Sequence, residues 1–126
     1  MIEISDEQFE QLINESMEEL PQDYISNMKN VAIVIADEPT SEQRVKLKLH
    51  CNQTLFGLYE GLPLTKRGMN YSGVLPDKIT IFKYPILANT RTPAELKEQV
   101  KRTLWHEIAH HYGLDHDRIH KLEGKK

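Results

Sequence analysis

Residues 106–116 read HEIAHHYGLDH. His106 and His110 stand four positions apart, so on a helix they lie one above the other on a single face. Two imidazoles so placed can share one tetrahedral zinc ion. Glu107 follows the first histidine and projects beside such a metal rather than onto it. A carboxylate there can take a proton from a water that the ion activates. Gly113 permits the left-handed conformation that ends a helix. The chain can then turn back and bring His116 to the same ion. Three protein ligands leave one position open, which is the arrangement of a catalytic zinc site and not of a structural one.

The neighbouring residues fit that chemistry less well. Asp115 and His120 lack the matching spacing. His111 is ~100° around the helix from His110 and is expected to pack or to support the site. His50 is remote in sequence. The reaction implied is hydrolysis of a peptide bond, with Glu107 as general base passing its proton on to the leaving amine. Tyr71, Tyr84, Tyr112 and Arg67 are candidate oxyanion donors, and the sequence does not choose among them. Neutral imidazoles bind metal, so activity should fall as pH drops through histidine protonation.

The motif needs a helix, and one is well specified. Thr92 caps it, Pro93 takes its first position and Glu95 follows three after the cap. The helix is expected over 93–112, with Leu96, Val100, Leu104 and Ile108 as one apolar ridge. Trp105, Ala109 and Tyr112 widen that surface. His106 lies roughly 200° beyond Leu104, so the histidines should look out of the core towards a cleft. A first helix is expected from Ser5, where Ser5 and Gln8 form a capping box, to Leu20 before Pro21. Phe9, Leu12, Ile13, Met17 and Leu20 give it an apolar stripe. Residues 31–35, VAIVI, read as a strand buried on both faces and therefore central. Residues 40–52 alternate towards Leu49 yet could also form a loose helix, and read as a connecting segment. Residues 55–64 read as a strand punctuated by glycine, placed at an edge by Pro63. Residues 65–77 read as a loop, 78–84 as an alternating strand ended by Pro85, and 115–122 as a short terminal helix. Helix, strands, then helix suggests an α+β fold.

Composition narrows the function. The 126 residues suit one domain over 1–126, with 39% hydrophobic and 28% charged residues. The net charge of −3 offers no footprint for nucleic acid. The single cysteine, Cys51, allows no internal disulfide and reads as a packed thiol in a reducing compartment. The N-terminus is acidic without a long apolar run, so neither a secretion signal nor a membrane span is expected, and the protein reads as cytoplasmic.

HExxHxxGxxH is shared with the metzincin proteases, which carry a methionine turn beyond the third ligand. Only ten residues follow His116 and none is methionine, so that assignment is set aside. The chain more closely resembles the small bacterial zincin-like metallopeptidases, the minimal zincins. The resemblance runs over 9–122 and rests on LFGLYEGLPLTKR at 55–67, PDKITIF at 76–82 and HEIAHHYGL at 106–114. It implies a minimal zincin-like core, in which a small mixed β-sheet packs against the helix bearing HExxH, accompanied by the N-terminal helix. It also implies one zinc ion and a peptide or protein substrate laid along the edge strand at 55–62, with Gly57, Leu58 and Tyr59 binding it. That family commonly has aspartate where this chain has His116. Histidine keeps the ligand count and removes a negative charge, which should leave the metal more electrophilic. Equal zinc affinity and turnover in a His116→Asp variant would refute that expectation.

Two functions follow. The first is a zinc-dependent peptidase with His106, His110 and His116 on the metal and Glu107 as base. The alternative is a non-catalytic or latent zinc- or peptide-binding module of the same shape. An intact Glu107 favours the enzyme. The small size, with no second subdomain to wall a cleft, favours the module.

Overall fold

The computed structural model describes residues 2–28, 30–50, 56–61 and 77–113. Helix α1, Asp6–Glu19, opens as expected: the Gln8 amide donates to Ser5 Oγ at 3.1 Å and the Ser5 amide to Gln8 Oε1 at 2.9 Å. Phe9 and Ile13 of its stripe are buried, and Leu12 and Met17 pack partly against the same core. At its far end the Gln22 side-chain amide meets the carbonyls of Met17, Glu18 and Leu20 at 2.8–3.0 Å, satisfying groups that a helix C-terminus otherwise leaves open. The short helix α2, Gln22–Ser26, follows at once.

Three strands form one mixed sheet among the described residues. They are β1 (Val31–Ala36), β2 (Gly57–Glu60) and β3 (Asp77–Phe82), in the order β1-β3-β2. β1 runs parallel to β3, with Ile33 opposite Ile79; β2 runs antiparallel to it, with Tyr59 opposite Ile79. This corrects the reading of β1 as central. β3 takes the middle, and β1 is only partly buried, with Val34 exposed. The polar residues of β3 concealed its depth. Asp77 and Thr80 are buried beside Ile79, Ile81 and Phe82, and Lys78 alone is exposed.

Between β1 and β2, where the sequence leaves a connecting segment or a loose helix open, helix α3 occupies Ser41–His50. Thr40 starts it with a second capping box: the Gln43 amide donates to Thr40 Oγ1 at 3.1 Å and the Thr40 amide to Gln43 Oε1 at 2.9 Å. β3 also ends earlier than expected. The chain turns at Lys83 directly into helix α4, Lys83–Ala88, and Pro85 sits in its first turn, where its missing N–H costs nothing. The Lys83 ammonium lies 2.8 Å from Asp6 Oδ1 and ties α4 to the start of α1.

Helix α5, Pro93–His111, fills the space between α1 and the sheet. Leu96, Val100, Leu104 and Ile108 pack with Phe9, Ile13, Ile79 and Ile81 in one core. Each such side chain contributes ~1.5–3 kcal/mol by leaving water. Their sum offsets the cost of enclosing polar groups on the same helix. The architecture is the α+β arrangement expected, with a small mixed sheet against the motif helix and an N-terminal helix beside it. No described helix is long and apolar enough to cross a membrane. Cys51, Pro63, most of the 65–77 loop and the 115–122 segment lie outside the described residues.

Candidate active site

Helix α5 holds its motif because both ends are specified. The Glu95 amide donates to Thr92 Oγ1 at 3.1 Å, with Pro93 beginning the helix. Gly113 adopts φ 78° and its amide donates to the His110 carbonyl at 2.9 Å, the left-handed stop that its position implied.

Between these ends His106 and His110 stack one turn apart. Their Nε2 atoms lie 3.1 Å apart and their rings meet edge to face at 4.7 Å. Two nitrogens each ~2.0–2.1 Å from one tetrahedral zinc would be about 3.3 Å apart, so the pair presents nearly the bite that a single ion needs. The motif face is not the open cleft expected from the helical wheel. His106 is 7% exposed and Glu107 only 3%, while His110 is half-buried.

Over Glu107 the cover comes from β2, and Gly57 explains how closely it approaches. A Cβ at Gly57 would stand 2.6 Å from Thr103 Cγ2 and 3.3 Å from Glu107 Cγ. Only glycine lets the strand lie this near the helix. Phe82 donates its amide to the Phe56 carbonyl at 2.8 Å. Alternation along the antiparallel pair therefore bonds Leu58 towards β3 and turns the Tyr59 amide the other way. That amide donates to the Glu107 carboxyl group. Glu107 Oε2 is buried and has no hydrogen-bond partner. Burial pushes the carboxyl up to about 8, against the opposing effect of the Tyr59 hydrogen bond.

A family model for zincin-like metallopeptidases matches residues 28–125. The chain belongs to the zincin-like metallopeptidase family. No curated protein matches the chain. The match spans β1 to the motif and beyond, so it covers every strand described and the whole of α5.

A zincin-like site calls in general for zinc, and the residues present suit it. Two convergent imidazole nitrogens and a buried carboxylate oxygen without a partner are a donor set for a divalent cation and the base beside it. His116, expected as third ligand, lies outside the described residues, as do Asp115, His120, Tyr71 and Arg67. Among the described residues no group of three His, Cys, Asp or Glu side chains gathers around one point.

The expected substrate residues all lie on β2. Leu58 faces away from α5 and packs on Phe82 and Ala36, so its side chain is remote from the motif. Gly57 contributes closeness to α5, and Tyr59 has committed its amide to Glu107. The Tyr59 phenol donates to Asp77 Oδ2 at 2.7 Å. Among the oxyanion candidates, Tyr112 is removed: its hydroxyl donates to the Tyr24 carbonyl at 2.6 Å, and burial, then Tyr24, raises its pKa. Tyr84 is exposed on α4.

His111 is buried, with Nδ1 2.8 Å from Asp77 Oδ2. Sequence reasoning missed Asp77, which it placed at the end of a loop. A buried carboxylate needs a partner, but neither Tyr59 nor His111 stands at a telling distance from it in sequence.

Proposed function

We propose that the protein is a zinc-dependent peptidase whose metal is held by His106, His110 and His116, with Glu107 as general base. The observation that carries this reading is the 3.1 Å convergence of the two Nε2 atoms beside a buried carboxylate with a partnerless oxygen. A zinc ion held there would supply a Lewis acid for the scissile carbonyl and would draw the pKa of water towards ~7. Glu107 Oε2 would accept the proton of the attacking water as its oxygen adds to the carbonyl carbon. The same carboxyl would then pass that proton to the leaving amine. The Tyr59 amide holds the other side of the carboxyl group in place. An extended peptide would lie along the outer edge of β2 at Gly57, where the backbone turns away from β3.

One observation favours the second reading, a latent zinc- or peptide-binding module. Burial pushes the Glu107 carboxyl up to about 8, which favours its protonated form over the carboxylate that accepts a proton. A cation beside it would reverse that by favouring the charged form. The two readings separate in a peptide-library cleavage assay on zinc-loaded protein, with Glu107→Gln as control at equal zinc content. Cleavage by the wild type alone supports the enzyme. Bound zinc with no cleavage by either form supports the module.

A further inference from the structure

His111, which the metal site does not use, closes a ring of contacts around the base. We propose that Asp77 is a positioning residue for Glu107, acting through Tyr59, an inference that rests on reading Glu107 as the base. Asp77 Oδ2 accepts the Tyr59 phenol at 2.7 Å and faces His111 Nδ1, its donor, at 2.8 Å. Asp77 is itself anchored, as the first residue of the central strand, by donating its amide to the Asn30 carbonyl at 2.9 Å. Tyr59 is thus held at both ends, by its phenol on Asp77 and by its amide on the Glu107 carboxyl.

His111 stands four residues after Glu107, one turn along α5. The contacts therefore run from Glu107 to Tyr59, to Asp77, to His111, and back along that turn. The chain after β2 folds over the other carboxylate oxygen: a Cβ at Gly61 would stand 2.5 Å from Asp77 Oδ1. Gly57 permits β2 to approach α5 but has no side chain with which to fix the height of the strand on the helix. The polar ring supplies that constraint. A carboxylate that must meet a water and a carbonyl is sensitive to it, since supporting contacts of this kind are commonly worth ~10–100-fold in activity.

The test is hydrogen exchange at the residue 59 amide, read by NMR on the full chain, for the wild type, Tyr59→Phe and Asp77→Asn. Tyr59→Phe deletes one hydroxyl and keeps the ring, so it serves where Asp77→Asn fails to fold. The expected result is exchange at residue 59 at least about tenfold faster in the variants, with the Leu58 and Thr80 amides at wild-type rates. On a peptide substrate, kcat should fall about tenfold while KM and zinc stoichiometry hold. Unchanged exchange at residue 59, or equal acceleration at Leu58 and Thr80, would overturn the proposal. If the wild type cuts no peptide, the reading of Glu107 as base fails, and the amide measurement still decides the positioning.

Discussion

Replacing Glu107 by glutamine should stabilise the metal-free protein, and by more as pH rises. The Glu107 carboxyl titrates near 4.5 when unperturbed and at about 8 in the fold. Between those values the folded chain holds a proton that the unfolded chain has released. The folded state then binds more protons, so stability must fall as pH rises through this window. Each pH unit costs about 1.4 kcal/mol, and the whole interval about 5 kcal/mol. Below the unfolded value the group contributes no difference, and above about 8 the full penalty is reached. Glutamine cannot titrate and keeps an acceptor for the Tyr59 amide. Urea unfolding of both proteins at pH 5, 6, 7 and 8 with a chelator present isolates the effect, because other titrating groups are common to the two. The stability difference should widen steadily from pH 5 to pH 8 in favour of glutamine. Parallel pH profiles would refute the enclosure of an uncompensated carboxyl.

Gly57→Ala should cost about 1–3 kcal/mol in urea unfolding, since its Cβ would meet Thr103 Cγ2 at 2.6 Å; Thr103→Ser, which removes that methyl, should recover part of the loss, and an additive double variant would count against the close approach. Thr92→Ala removes the acceptor of the Glu95 amide and should lower stability by about 1 kcal/mol, with no change if the cap is idle. Tyr112→Phe should leave kcat unaltered and cost about 1 kcal/mol through the lost bond to the Tyr24 carbonyl; a large fall in kcat would return Tyr112 to the oxyanion candidates.

The local rules were legible in the residues. Ser5 with Gln8, and Thr92 with Pro93 and Glu95, mark helix starts whose hydrogen bonds form as expected. Gly113 marks the stop, and takes φ 78° there. Thr40 with Gln43 carried the same signal for α3, but the interleaved Lys46 and Lys48 weakened its amphipathic pattern. Pro85 read as a strand end because an α4 of six residues is too short to show a period.

What escaped is set by distance along the chain. β1 looks more apolar than β3, yet β3 is central because Asp77 and Thr80 can be buried there among groups brought from elsewhere. Tyr59 meets Asp77 across 18 residues and His111 meets it across 34, and no periodicity reports such pairs. The helical wheel turned His106 away from the ridge of α5, while Glu107 lies at the ridge's own angle. It could not show that β2, admitted by Gly57, would lie directly against Glu107.

The central claim is that one face of α5 holds a metal ion beside a base that does not ligate it. Equilibrium dialysis against zinc, on the wild type, His106→Ala, His110→Ala and Glu107→Gln, tests it most directly. The expected result is about one ion per chain for the wild type and for Glu107→Gln, with retention lost in both histidine variants. Full retention in either histidine variant, or loss of zinc in Glu107→Gln, would contradict the claim.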